Sequence, residues 1–269
     1  MSALYWALGG LAALGLLYLL CLWPFGGRRL PRALQTDYAH RGLFDSQVPE
    51  NSLGAFARAV EAGWGIELDV QLSADGRVVV FHDPSLLRMT GDPRRVDRLT
   101  LDELQALRLK DSAWGIPSLE QVLALVGGRV PLLIELKGES TDTSLCPKLA
   151  QTLAGYAGPY CLESFNPLLI GAMKKLLPGV PRGLLYTNVC REKKKVTLLN
   201  LALTGMLLNP LARPDFIAYD TACRHSLGVR IACGVYKKPR FVWTVRTCRE
   251  LARARRAGER AIFEKEALK

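Results

Sequence analysis

Between residues 38 and 137 the chain sets two histidines, three acids and two cations at the ends of short apolar runs: His40 and Arg41 in YAHRG, Glu67 and Asp69 in GIELDV, His82 in VVVFHDP, and Glu135 and Lys137 in LLIELKG. Strand side chains alternate between faces. Glu67 and Asp69 therefore share one face while Ile66, Leu68 and Val70 share the other, and Glu135 and Lys137 lie opposite Ile134 and Leu136. Carboxylates crowded on one buried face repel each other, and loss of water adds to the cost. A hard divalent cation that binds all three acids through oxygen relieves both penalties. Each motif alone has a plainer reading, such as a rim histidine or an exposed strand acid. Together they point to a functional site, with a bound metal as the economical explanation of the acid trio.

The elements that must hold these residues follow from the pattern of runs. Apolar or β-branched runs occur at 38–40, 65–70, 78–81, 131–136, 160–165, 183–186, 215–219 and 241–245. Amphipathic stretches separate many of them, for example SLGAFARAVEAG, capped by Ser52, and NPLLIGAMKKLLPG, capped by Asn166. Repeated strand–helix alternation in one α/β domain predicts a parallel sheet, and at this length a closed (β/α)8 TIM barrel. An open doubly wound sheet is the alternative, but the first strand is not followed by its Gly-rich phosphate loop. The short run 261–263 competes with 215–219 as the eighth stave. The segment 84–117 is longer than a strand–helix link needs and reads as a cap-like insertion beside the mouth.

Ahead of the barrel, residues 1–27 contain no charged side chain. From Ala3 to Phe25, at about 1.5 Å per residue, a helix would reach roughly 34 Å, enough to cross a hydrocarbon core of about 30 Å. Tyr5, Trp6, Tyr18 and Trp23 lie towards its ends, where aromatic rings settle at an interface. A signal peptide would carry a basic start and a small-x-small cleavage site, and neither is seen. The expectation is a single-pass transmembrane anchor over 1–27, a basic linker over 28–37 and a catalytic domain over 38–269. Arg28, Arg29 and Arg32 follow the apolar stretch, which predicts a cytoplasmic catalytic domain. Seven cysteines without a CxxC pair argue against a disulfide-stapled secreted domain.

The formal net charge is +11, with basic clusters at Lys193–Lys195, at Lys237, Lys238 and Arg240, and along 246–256. On an anchored domain the nearest polyanion is an acidic membrane rather than nucleic acid. The segment VTLLNLALTGMLLNPLA, from Val196, is too polar for a span and reads as a barrel helix or an interfacial one.

In order along the chain, AHRG, ENS, IELDVQLSADGRVVVFHDPSLLRMTG, IPSLEQVL, LIELKG, ESF and VWTV resemble the glycerophosphodiester phosphodiesterase family. The resemblance implies a TIM barrel with one divalent metal ion, Mg or Ca, in its mouth, and hydrolysis of glycerophosphodiesters such as glycerophosphocholine to sn-glycerol 3-phosphate and an alcohol. Carried over position by position, it makes Glu67, Asp69 and Glu135 the metal ligands and His40 and His82 the acid–base pair. Arg41 and Lys137 become phosphate neighbours, Asn51 a member of the metal or phosphate shell, and Phe165 and Trp243 aromatics against the glycerol moiety. The chain departs from the pattern at Ser52, where ENT is usual, and at Arg246, where an Asn commonly follows WTV.

Two other functions compete with this expectation. A lysophospholipase D acting on lysophospholipids would give the anchor a purpose that a soluble substrate does not. A catalytically silent membrane-anchored barrel would be marked by loss of one of the five metal and histidine positions, and all five are present. The expected partners are a small glycerophosphodiester or lysophospholipid and membrane lipid, with no nucleic acid; the sequence leaves the oligomeric state open.

Overall fold

The computed structural model describes residues 2–23, 29–138 and 140–269. Its strands are β1 Tyr38–Ala39, β2 Gly65–Leu72, β3 Val78–Val80, β4 Leu132–Leu136, β5 Tyr160–Ser164, β6 Arg182–Tyr186, β7 Phe216–Asp220, β8 Arg240–Val245 and β9 Arg260–Phe263. The longer helices are α1 Ser2–Leu22, α2 Leu53–Glu61, α3 Leu101–Ala106, α4 Leu119–Val126, α5 Leu145–Leu153, α6 Pro167–Leu176, α7 Leu198–Thr204 and α8 Cys248–Arg256.

β1, only two residues long, closes the sheet by pairing parallel with β2 on one side and β9 on the other. Continuing through β8, β7, β6, β5 and β4 back to β2 gives eight parallel staves, the closed (β/α)8 barrel expected from the sequence. Two runs exchange roles relative to that expectation. β3 runs antiparallel on the far end of β2 and is not a stave, because only residues 73–77 separate the two and no crossover helix fits there. The eighth stave is β9, and β7 is also in the barrel, so 215–219 and 261–263 do not compete. Asp37 fastens the closure, accepting from the Ala261 amide at 2.9 Å and from Arg255 Nε at 2.8 Å.

Beneath the mouth the barrel interior is apolar: Tyr38, Leu133, Cys161, Leu185, Phe216 and Phe241 pack together, with Leu30 and Leu34 covering the strand-start end. Gly183 makes room there, since a Cβ would lie 2.0 Å from the Phe216 ring. Outward-facing staves such as Ile66, Leu68, Ile134 and Leu162 pack on the helices. The segment 84–117 contributes α3, with a Thr100–Glu103 capping box, and encloses its own apolar cluster around Leu86, Met89, Leu99 and Leu104. The apolar stretch at the front forms α1, long enough to cross a membrane, or to serve as a signal sequence, and exposed from Leu4 to Leu17. The end of the expected anchor, 24–27, and Arg28 at the start of the expected linker lie outside the described residues.

Candidate active site

The strand register builds the site. In β2, β4 and β5 the pairs Asp69↔Glu135 and Glu135↔Glu163 set three carboxyls in one row across neighbouring staves, with Glu67 two residues lower on β2. Paired positions on parallel strands face the same way, so all four point into the barrel near its strand-end rim, the end where such barrels carry their chemistry. Glu67, Asp69 and Glu135 are buried, and one oxygen of each lies within 4.8 Å of the others.

Two cations, Lys137 just after β4 and Arg41 just after β1, converge on this row. Lys137 Nζ lies 2.6 Å from Glu135 Oε1 and 2.8 Å from Asp69 Oδ1. Arg41 donates its backbone N–H to Glu67 Oε2 at 2.9 Å and Nη1 to Glu50 at 2.7 Å, and its Nε lies 3.3 Å from Asp69 Oδ2. The backbone at Arg41 is left-handed, with φ +55°, and Gly42 follows at +82°, where a Cβ would strike Ala55 at 2.8 Å. That turn folds the Arg41 amide and guanidinium back over the acids. Asn51, buried and also left-handed, donates Nδ2 to Asp69 Oδ2 at 2.7 Å, while Ser52 caps α2 behind it.

These neighbours sort the acids. Burial works against ionisation of Asp69, but Lys137, Arg41 and His82 outweigh it and hold its pKa below the ordinary range. Burial, with Asp69 and then Glu135 nearby, pushes Glu67 well above that range. Burial also raises Glu135, to about 7, against the pull of Lys137.

The two histidines stand at the edges. His40 follows β1, its amide donating to the Phe263 carbonyl at 2.8 Å. Its Nδ1 is 3.4 Å from Glu264 and its Nε2 4.0 Å from Glu67 Oε2. His82 follows the short β3 and shares a 2.6 Å contact between Nδ1 and Asp83 Oδ1. Burial lowers the pKa of both imidazoles, opposed at His40 chiefly by Glu264 and at His82 chiefly by Asp69. The remaining histidine, His225, is exposed in the excursion after β7, beside Arg253.

All ten residues singled out from the sequence line the strand-end half of the barrel, but in two groups. Eight gather around the acids; Phe165 and Trp243 form a separate edge-to-face pair, with ring centroids 5.5 Å apart. Trp243 Nε1 donates to the Ala218 carbonyl at 3.2 Å, and Phe165 is 38% exposed. Arg41 and Lys137, expected beside a phosphate, are turned onto carboxylates.

Four further residues belong to the arrangement. Gln71 donates Nε2 to the carbonyls of Phe81, His82 and Asp83 at 2.8, 3.0 and 2.9 Å, and so fixes the turn that presents His82. Arg88, from the segment 84–117, joins Glu50 at 2.6 Å to Asp83 at 2.5 Å. Glu264 orients His40. Glu163 completes the carboxyl row; it is 1% exposed and its Oε2 has no hydrogen-bond partner among the described residues. Of these, only Glu163 had a sequence signal, the same alternation in YCLES that exposes the acids of GIELDV.

A model of the glycerophosphoryl diester phosphodiesterase family matches residues 40–265. The chain belongs to this family. Among its relatives, a glycerophosphodiester phosphodiesterase of Caldanaerobacter subterraneus is 39% identical over 163 residues, covering 55% of this chain and 65% of that one. The match thus spans just under two thirds of that relative's length. A glycerophosphodiester phosphodiesterase structure from Thermotoga maritima superposes with a TM-score of 0.66 at 26% identity, covering 87% of this chain and 96% of that one. A phosphodiesterase of Oleispira antarctica, solved with the product sn-glycerol-3-phosphate, superposes at 0.71 with 22% identity over 86% and 93% of the two chains, a likeness of fold. In the family's terms Glu67, Asp69 and Glu135 form a cluster able to hold a metal ion. Its donor set fits one: three buried carboxylates offer oxygens that share a single small volume.

Proposed function

We propose that this chain hydrolyses glycerophosphodiesters of the glycerophosphocholine type to sn-glycerol 3-phosphate and an alcohol. The carrying observation is the convergence of Glu67, Asp69 and Glu135 within 4.8 Å, flanked by His40 and His82, in a member of the glycerophosphoryl diester phosphodiesterase family. Glu67, Asp69 and Glu135 would hold one divalent ion, Mg or Ca, since carboxylate oxygens suit both. When bound, that ion supplies Lewis acidity to a phosphate oxygen.

The remaining steps fall to side chains. His40 and His82 divide the proton work: one takes the proton of the attacking hydroxyl or water, and the other gives a proton to the departing alkoxide oxygen. Neutral imidazoles suit the base role, and burial favours that form at both positions. Glu264 and Asp83 each orient a ring through Nδ1, which leaves Nε2 for the substrate. Arg41 and Lys137 neutralise the anionic cluster and the charge that grows on phosphate oxygens. Asn51 holds the Asp69 carboxylate in place, and Phe165 with Trp243 offers an apolar wall to the glycerol carbons.

The division of the chain supports a membrane-bound enzyme: an anchor over 1–27, a linker over 28–37 and a barrel over 38–269 with its cap at about 84–117, facing the cytoplasm. The exposed apolar α1 favours a second reading, lysophospholipase D action on lipid substrates. The test is choline release from glycerophosphocholine and lysophosphatidylcholine by the purified full chain, with and without Mg or Ca, against His40→Ala. Metal-dependent release lost in the variant supports hydrolysis, and preference for the lysolipid supports the second reading. No release from either by metal-loaded protein would overturn both.

A further inference from the structure

The helix α7 is amphipathic in reverse. Asn200 is buried, donating Nδ2 to the Lys195 carbonyl at 2.8 Å, while Leu198, Leu199 and Leu201 point outward at 88%, 60% and 49% exposure. Val196, Leu207 and Leu227 add to the exposed apolar surface. These residues come from the excursions after β6 and β7, next to the rim that carries Phe165. Single exposed leucines are ordinary, but a clustered set beside a site marks an interaction surface. Lys194 and Lys195, both exposed, immediately precede it.

The path of α1 shows what lies opposite. Its last turn is tied to the barrel wall: Trp23 stacks edge-to-face on Tyr236, with centroids 5.2 Å apart, Tyr236 Oη donates to the Leu19 carbonyl at 3.0 Å, and Leu22 is fully buried. Tyr236 sits just before β8, towards the strand-start end. One turn back along α1, the Tyr18 hydroxyl lies against Gly228 and Met206 borders the same glycine, in the excursions that follow β7 and β6 at the strand-end side. Traced from Trp23 to its start, α1 therefore climbs from the strand-start end towards the mouth, and Leu4–Leu17 continue beyond with every side chain exposed.

We propose that the mouth side of the barrel rests on an acidic bilayer surface, with the α7 leucines, Val196 and Leu227 in the interface and Lys194 and Lys195 against anionic headgroups. This deepens the lysophospholipid reading and rests on α1 being an anchor. An anchor rising on the mouth side brings that side down to the lipid. Interfacial leucines then gain from burial at the acyl boundary, and each nearby lysine adds attraction to anionic lipid. The diester of a lysolipid would enter from the membrane plane, its phosphate towards the acids and its chain towards the apolar excursions.

The experiment uses the full chain in vesicles of phosphatidylcholine mixed with phosphatidylglycerol. An environment-sensitive nitrobenzoxadiazole probe is placed at Leu198→Cys or, as a control in the loop before β5 on the strand-start side, at Ala157→Cys, both with Cys248→Ser to remove the exposed native thiol. The expected result is a blue-shifted, several-fold brighter probe at 198 that nitroxide-bearing lipid quenches, and a water-like probe at 157. In parallel, Leu198→Glu with Leu199→Glu should cut kcat/KM for lysophosphatidylcholine in the vesicles about tenfold, as expected for loss of interfacial burial, and leave glycerophosphocholine hydrolysis unchanged. A water-like probe at 198 in protein that alkaline carbonate fails to extract would overturn the docking alone. Extraction by carbonate would remove the anchor reading and the docking with it. Equal losses on both substrates would overturn entry from lipid.

Discussion

The mouth of the barrel is made of two unlike half-rings. From β1 through β5 the inward residues at the rim are acids, histidines and cations, joined by short ion pairs from Lys137, Arg41 and Arg88. From β6 through β8 the inward positions are mostly carbon, Leu185, Ala218 and Trp243, with the carboxylate of Asp220 beside Trp243 in register. One half carries charge and proton transfer; the other offers carbon surface and the leucine-rich excursions. The contrast teaches how a symmetric framework becomes a directional site: the phosphate end of a substrate has one side to meet and its carbon end the other.

The largest effect should come from opening the acid row. Asp69→Asn removes the one carboxylate that its neighbours keep ionised, so divalent-metal binding by calorimetry should vanish and kcat fall about a thousandfold, the scale of several kcal/mol. Retained metal binding would mean that the row is not the metal site. Next, His82→Ala should lower kcat about 100- to 10,000-fold with metal binding intact, the range for a lost general acid or base. Because burial lowers both imidazoles, the acid limb of kcat/KM should fall below the ordinary histidine value of about 6.5. A limb above that value would contradict a buried neutral base.

Much of the charged half was legible because a two-residue period exposes acids wherever a strand is otherwise apolar. GIELDV and LLIELKG show it without any structure. The apolar half gave no such signal, since inward and outward residues there are both hydrophobic and the alternation disappears. The stave β9 was obscured for a related reason: RAIF is four residues long and follows a strongly basic helix. β3 misled because VVVF has the composition of a buried stave, while its antiparallel pairing depends on the tight SADG turn. Gln71 and Glu264 were invisible, because a side chain bonded to distant carbonyls or to a ring leaves no local pattern.

Proton linkage sharpens the comparison with a smaller effect. Glu135, pushed up to about 7, is mostly protonated at pH 6 in the metal-free protein and must lose that proton to bind a cation. Metal affinity should therefore weaken as pH falls through 7, with a proton released on binding, detectable as buffer-dependent binding heats in calorimetry. Affinity independent of pH between 6 and 8 would mean that Glu67 and Glu135 are already ionised before the metal binds.

The border between the halves lies at β5, where Glu163 stands above Cys161 in the barrel interior. Burial first, then Glu67 and Glu135, raises its pKa well above the ordinary value. Below about pH 4.3, the value for a free Glu, folded and unfolded chains both keep the proton and the carboxyl imposes no cost. As pH rises past that point the unfolded chain releases its proton before the folded chain does, so the metal-free protein loses stability until the folded pKa is reached. Glu163→Gln keeps the shape and removes the titration. With a chelator present, its melting temperature should exceed that of the parent by more at pH 8 than at pH 5, by about 2–4 °C for each kcal/mol of relief. If Glu163 belonged with the apolar half, as a carboxyl already satisfied by its surroundings, the two proteins would keep the same gap at both pH values.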